Sequence, residues 1–351
     1  MQTPRGIARI SDLDGFDEII DVRSPAEFAD DHIPGAINCP VLDNEQRAQI
    51  GTIYKQVSAF DARKLGAALV AENIARHLIA KFQDKPKHWR PLVYCWRGGQ
   101  RSGAFTTWMR MIGWDACQLE GGYKTFRHHV VEQLATLPQT FRMVVVCGAT
   151  GSGKTRLLDA LGAAGAQVLD LEGHARHKGS VLGRLPGIPQ PTQKTFETEL
   201  WTRLSRFDAA RPVFVEAESR KIGSIHIPDT LIAHMRASPC VAIEASRDAR
   251  LKFLLEDYAY LGNDVRDLQE RIECLRSFQS NETIDQWHAY AQQGDLARLF
   301  AEFIDKHYDP LYRRSQNHNY QQFPQARQCV VDDLSPATLA KVADDLIHSI
   351  T

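Results

Sequence analysis

The run Met143-Val144-Val145-Val146-Cys147 leads directly into Gly148-Ala149-Thr150-Gly151-Ser152-Gly153-Lys154-Thr155, and this in turn into Arg156-Leu157-Leu158-Asp159-Ala160-Leu161. An apolar strand, a glycine loop and a helix start in that order leave few folds open. The loop satisfies G-x-x-x-x-G-K-S/T at every defined position, in the strand-to-helix context the motif needs. Its glycines, Gly148, Gly151 and Gly153, with Ser152 between them, let backbone N–H groups converge on phosphate oxygens at a helix N-terminus. Lys154 adds a point charge. Thr155 is placed to reach a magnesium ion, which makes Mg2+ a candidate cofactor, although no metal site is certain.

The surrounding pattern places this loop in an α/β unit. Strands are expected at Arg142 to Cys147, Gln167 to Leu171, Pro212 to Val215, Cys240 to Glu244 and Arg327 to Val331. Strands that alternate with helices imply a mostly parallel sheet with crossover helices. Residues from about 247 to 310 read as a charged helical insertion, and Ser335-Pro336 opens a last helix with a cap followed by proline. The third strand ends in Glu216-Ala217-Glu218, without the usual magnesium-holding aspartate, and no N-K-x-D guanine reader is present. The loop therefore signals phosphate binding rather than a nucleotide triphosphatase. Asp170 and Glu172, with Glu216 and Glu218, end strands on the same ligand edge. They are candidates for ligand or base roles, and caps or ion pairs fit them equally well. The Gly- and Pro-rich stretch from Gly179 to Thr192 is irregular, and a long ordered loop of that kind is more often functional than idle.

A second chemical loop lies about fifty residues upstream. Cys95-Trp96-Arg97-Gly98-Gly99-Gln100-Arg101 follows the apolar Leu92-Val93-Tyr94 and precedes a helix expected from Ser102 to Ile112. That placement aims backbone N–H groups and a helix dipole at the sulfur, an environment that favours its anionic form. Arg97 and Arg101 add positive charge, and Cys95, Arg97 and Arg101 are the candidate catalytic residues. Residues 1–138 as a whole read as a compact α/β unit, with 139–351 as the phosphate-loop unit. Strands are expected at Glu18 to Val22, Ala36 to Cys39, Arg90 to Tyr94 and Ala116 to Leu119, and a helix over 61–83. Ser24-Pro25-Ala26-Glu27-Phe28 begins a short helix, with cap, proline and acid in the favoured order. The spacing Cys95 to Arg101 also fits C-x5-R, in which cysteine attacks phosphorus while arginine clamps the phosphate. Tyr94 stands where those phosphatases usually have histidine.

Composition narrows the remainder. The chain has 351 residues, 43% apolar and 24% charged, enough for two globular cores. It holds no run of about 18 apolar residues, so no membrane span is expected. Seven irregularly spaced cysteines argue against a disulfide framework and for a reducing cytoplasm, and none has zinc spacing. A net charge of −1 exerts no global pull on nucleic acid, so an RNA partner would need a local basic patch. Candidates are Arg220 with Lys221 and Arg313 with Arg314; Arg176-His177-Lys178 is a further basic run.

Upstream of the cysteine, Asp21-Val22-Arg23, Glu27-Phe28 and His32-Ile33-Pro34-Gly35-Ala36-Ile37-Asn38 resemble the rhodanese family, sulfur carriers that hold a persulfide on the loop cysteine. Leu119-Glu120-Gly121-Gly122-Tyr123 fits the end of that domain. A rhodanese-like domain followed by a phosphate-loop domain resembles the tRNA 2-selenouridine synthase family over nearly the whole chain. Asp170-Leu171-Glu172-Gly173, Gln190-Pro191-Thr192-Gln193-Lys194 and Glu216-Ala217-Glu218-Ser219-Arg220-Lys221-Ile222-Gly223 strengthen the likeness. The resemblance implies a transferase that converts 2-thiouridine in the tRNA anticodon to 2-selenouridine. Geranyl diphosphate and selenophosphate would be its co-substrates, and a selenophosphate-supplying enzyme a candidate partner. The residues alone leave another reading open, a phosphate-loop kinase carrying an appended sulfur-carrier domain.

Overall fold

The computed structural model describes residues 6–312 and 319–350. Arg313 and Arg314 lie outside the described residues. The chain divides into two compact units, Met1–Gln133 with Glu197–Glu199, and Leu134–Phe196 with Leu200–Thr351.

The first unit is built on strands β1 (Ile7–Ala8), β2 (Glu18–Asp21), β3 (Ile37–Asn38), β4 (Pro91–Tyr94) and β5 (Cys117–Leu119). They form one parallel sheet in the order β1-β5-β4-β2-β3. All four residues of β4 are buried, as expected of a central parallel strand covered on both faces. Its helices are α1 (Pro25–Asp30), α2 (Asn44–Gln56), α3 (Ala59–Lys81), α4 (Gln100–Ile112) and α5 (Gly122–Thr136), the last running into the second unit. Val93, Phe105, Met109, Phe82 and Trp89 share one core. At α1 the expected cap forms: the Ser24 N–H donates to Glu27 Oε2 at 3.1 Å. Helix α2 has no counterpart among the sequence expectations. It buries no residue, so it carries little apolar periodicity, and its clearest signal is the Asp43 cap with Gln46 three residues on.

The second unit contains β6 (Met143–Cys147), β7 (Gln167–Leu169), β8 (Val213–Glu216), β9 (Lys221–Ile222), β10 (Ile225–His226), β11 (Cys240–Ala245) and β12 (Arg327–Val331). Five of these make a parallel sheet in the order β12-β11-β6-β8-β7, while β9 and β10 pair as a separate antiparallel ribbon. Strand β6 is central and wholly buried. The chain leaves it toward β7 and β8 on one side and later returns to β11 on the other, so the carboxyl end of β6 is a switch point where α/β sheets bind ligands. From there the phosphate loop runs into α6 (Lys154–Ala163). Strand β7 ends at Leu169, two residues earlier than expected, because Asp170 caps the short helix α7 (Leu171–Ala175).

Further helices are α8 (Gln193–Leu204), α9 (Asp229–Ala237), α10 (Arg247–Asp257), α11 (Val265–Glu273), α12 (Asn281–Gln293) and α13 (Leu296–Glu302). The last four lie between β11 and β12, where a helical insertion is expected, and a π-helical turn, Phe303–Tyr308, follows them. Trp287 anchors the insertion: its ring meets Phe303 edge-on at 4.7 Å, and its Nε1–H donates to Glu302 at 2.9 Å. Pro336 opens the last helix. Among the described residues, no helix is long and apolar enough to cross a membrane.

Candidate active site

Cys95 follows the last residue of β4 and is nearly enclosed, 3% exposed. Its Sγ accepts hydrogen bonds from the Gly99 N–H at 3.3 Å and the Ser102 hydroxyl at 3.1 Å. The Gln118 side-chain amide donates to Ser102 Oγ at 2.8 Å and to the Gly99 carbonyl at 3.1 Å. Gln118 thus occupies the acceptor side of the serine oxygen, leaving its one hydrogen to point to the sulfur or to the Gly99 carbonyl at 3.3 Å. The loop is braced from behind by α5. The Tyr123 and Lys124 N–H groups donate to the carbonyls of Cys95 and Trp96 at 2.8 and 2.9 Å. Gly122 is required at this junction: its φ is +60°, and a Cβ there would lie 2.3 Å from the Cys95 carbonyl oxygen. Ser102 and Gln118 are outside the sequence-derived set. Ser102 directly follows the Cys95–Arg101 loop but has no role among the sequence expectations, and Gln118 comes from a different strand.

The two arginines of the loop differ. Arg97 is exposed. Arg101 makes two hydrogen bonds to Glu27, at 2.7 and 3.2 Å. Burial alone would raise the Glu27 carboxyl, but the Arg101 guanidinium overrides it and holds the group below its ordinary range. Most of the Arg101 charge is therefore neutralised locally, and the loop is less cationic than its sequence suggests. A third arginine, Arg23, is fully buried. It grips both Asp21 oxygens, lies 3.9 Å from the Tyr123 ring centre and donates to the Asp31 carbonyl at 2.6 Å. It fixes the strand end beside β4.

In the phosphate loop, Gly151 and Gly153 both adopt φ of +80°, open to glycine and strained for other residues. Lys154 Nζ donates to the Gly148 carbonyl at 2.8 Å. The Ser152 hydroxyl is buried without a hydrogen-bond partner. Arg250 supports the loop from α10, donating twice to the Thr150 carbonyl at 3.0 and 2.9 Å while pairing with Asp309. Over the loop lies a cavity of about 510 Å3, whose polar side includes Lys154, Thr155, Glu172, Lys178 and Glu218.

The four carboxylates separate on inspection. Asp170 is a helix cap, accepting the Gly173 N–H at 2.7 Å, and does not line the cavity. Glu172 and Glu218 do line it and hydrogen-bond to each other. Glu216 is buried beneath, with Oε1 accepting the Glu172 N–H at 2.8 Å and Oε2 unpartnered. Burial, reinforced by neighbouring carboxylates, raises all three, Glu216 to about 8 and Glu218 well above its usual range. Among the described residues no group of three or more His, Cys, Asp or Glu side chains could hold a metal. Thr155, 3.4 Å from Glu172, is the one phosphate-loop side chain suited to an ion carried in with phosphate. Arg220 and Lys221 are exposed, and Arg220 faces Asp229 at 3.7 Å.

Comparison with known proteins agrees with this two-part construction. The family model for the "tRNA 2-selenouridine synthase AAA domain" matches residues 141–283, and the rhodanese-like domain model matches residues 7–129. The chain is 37% identical over 244 residues to the tRNA 2-selenouridine synthase of Nitrosomonas europaea, a match covering 68% of this chain and 63% of that protein. It is 35% identical over 325 residues to the Cupriavidus necator tRNA 2-selenouridine synthase, covering 84% and 87% of the two chains. The Shewanella halifaxensis enzyme of that name is 32% identical over 326 residues, with the same coverage. Matches to some of these relatives thus span a little under two-thirds of their length and to others nearly all of it. With both of its domains matched and their loops formed, the chain belongs to the tRNA 2-selenouridine synthase family.

Proposed function

We propose that the protein replaces the sulfur of wobble 2-thiouridine in tRNA with selenium, in two steps. In the first, the thiocarbonyl sulfur attacks C1 of geranyl diphosphate. The S–C bond forms, the C–O bond to diphosphate breaks, and the base loses its N3 proton. In the second, the selenium of selenophosphate bonds to C2 and the geranylthio group departs as geranylthiol; water then cleaves the Se–P bond, releasing phosphate and leaving 2-selenouridine. The observation that carries the reading is the presence of two formed loops in one family member, a phosphate cradle at a strand switch point and a thiol beneath two hydrogen-bond donors.

Each loop suits its step. A leaving diphosphate needs charge stabilisation at fixed positions, which the loop amides and Lys154 provide. It needs no triphosphatase apparatus, consistent with Glu216 standing where an aspartate is usual. Where magnesium accompanies the diphosphate, Thr155 would hold it, and the ion would offset phosphate charge. Cys95, held by the Gly99 amide and the Ser102 hydroxyl, would position the selenium donor. A selenophosphate-supplying enzyme is the expected partner, and the cytoplasm the expected compartment.

The test is direct. Purified protein is incubated with 2-thiouridine-containing tRNA, geranyl diphosphate and selenophosphate, and the nucleosides are resolved by chromatography and mass spectrometry. Appearance of S-geranyl-2-thiouridine and then 2-selenouridine supports the proposal. ATP turnover dependent on Lys154, with no change in the base, would favour a kinase instead.

A further inference from the structure

The cavity over the phosphate loop has two unlike sides. One holds the loop with Lys154, while Lys178 lies against the opposite side, 4.5 Å from the Tyr258 ring centre. The other is formed by Phe253, Leu254, Tyr258, Tyr308, Leu311 and Tyr312. Three of these come from α10 and its end, and three from the π-helical turn and the residues after it. Arg250 joins the two sides, bonding the Thr150 carbonyl in the loop and Asp309 in the segment that carries Leu311 and Tyr312. We propose that this aromatic and aliphatic wall is the subsite for the isoprenoid chain of the diphosphate substrate. The inference rests on the reading that the phosphate loop takes a prenyl diphosphate.

The occupant follows from the lining. A nucleobase is selected by edge donors and acceptors, often Asn, Gln or backbone groups. No Asn or Gln lines the cavity among the described residues, and its acids sit with the phosphate loop or, as Asp257, pair with Lys178 at 2.6 Å. An isoprenoid chain needs apolar area continuous with the phosphate site, which this wall supplies. Leu311 stays 42% exposed at the rim although it is a large apolar side chain.

Calorimetric titration with inorganic diphosphate, dimethylallyl diphosphate, geranyl diphosphate and ATP tests the subsite in the full-length protein. Each buried methylene is worth about fourfold in affinity, so even partial burial of the geranyl chain, equivalent to about three or four methylenes, should make geranyl diphosphate exceed inorganic diphosphate by at least roughly a hundredfold, with dimethylallyl diphosphate between. Phe253→Ala should cut that chain-dependent preference about tenfold while inorganic diphosphate binds as before. Because Phe253 also belongs to the core, Leu311→Ser at the exposed rim provides a second variant, expected to lower the preference several-fold. Geranyl diphosphate that binds through Lys154 with no chain-length dependence, or with a preference unchanged in Leu311→Ser, overturns the wall and leaves the parent reading intact. Failure of geranyl diphosphate to bind at all, or ATP binding tighter than it, overturns both.

Discussion

Lys154 turns its ammonium back onto the carbonyl oxygen of Gly148, 2.8 Å away, so that the first residue of the phosphate loop and its lysine are bonded across the loop. A bound diphosphate would replace this contact with charge-assisted ones to its oxygens. The lysine is held by a single neutral acceptor, not by a carboxylate, so its release costs little.

Lys154→Ala should accordingly reduce S-geranylation of 2-thiouridine tRNA by about a hundredfold or more, the usual loss when one charge-stabilising contact to a leaving group is removed. Single-turnover assays with geranyl diphosphate in excess measure it. A variant that geranylates at the wild-type rate would show that the leaving group lies elsewhere.

Glu216 predicts a pH dependence of stability. Burial and the neighbouring Asp170 and Glu172 raise it from 4.5 to about 8. A carboxyl that the fold keeps protonated adds stability that is complete below the ordinary glutamate value. The contribution is lost as pH rises through the raised one. Between pH 5 and 8 it should decline by up to about 1.4 kcal/mol per unit. Glu216→Gln retains an oxygen for the Glu172 N–H and cannot ionise. Its melting temperature should change less over that window than the wild-type value, as followed by circular dichroism. Parallel curves for the two proteins would mean that Glu216 does not titrate there.

Much of this arrangement is legible in the sequence, and the exceptions have physical causes. Both loops announce themselves because strand, glycines and helix are contiguous, and the buried strands β4, β6 and β8 read as unbroken apolar runs. What is missed depends on long-range pairing or on surfaces without periodicity. Helix α2 buries nothing. Ser102 and Gln118 support the sulfur from a helix and a separate strand, and Arg250 reaches the phosphate loop across a hundred positions. The charge on Arg101 could be read from its residue type, but not its neutralisation by Glu27, which lies 74 positions away.

Binding of tRNA should be local and strongly salt-dependent, since tRNA is a polyanion and the net charge of the chain is −1. Arg220 and Lys221 are exposed at the start of the β9–β10 ribbon, Lys221 being the first residue of β9. If each contacts a phosphate, a neutral substitution at each should lower the salt slope of log affinity by roughly 0.7 to 0.9. Filter-binding titrations across a salt series provide the slopes. Unchanged slopes in the Arg220→Gln, Lys221→Gln double variant would place the tRNA surface elsewhere.

The two loops should be separable by mutation. Cys95→Ser keeps the volume of the side chain and can retain the Gly99 and Ser102 hydrogen bonds, but a hydroxyl stays neutral near pH 7 and lacks the sulfur on which selenium transfer would rely. In the proposed mechanism geranylation has no need of that thiol, because the nucleophile would be the sulfur of the base itself. The variant should accumulate S-geranyl-2-thiouridine and make little 2-selenouridine. Ser102→Ala should act in the same direction more weakly, about tenfold, because it removes one of two donors to the sulfur. Lys154→Ala should show the opposite pattern, leaving 2-thiouridine unreacted while still converting tRNA supplied already geranylated. Chromatography with mass spectrometry distinguishes all three nucleosides. If folded Cys95→Ser protein blocks geranylation as completely as selenium transfer, the division of labour fails, and both steps must draw on the same sulfur.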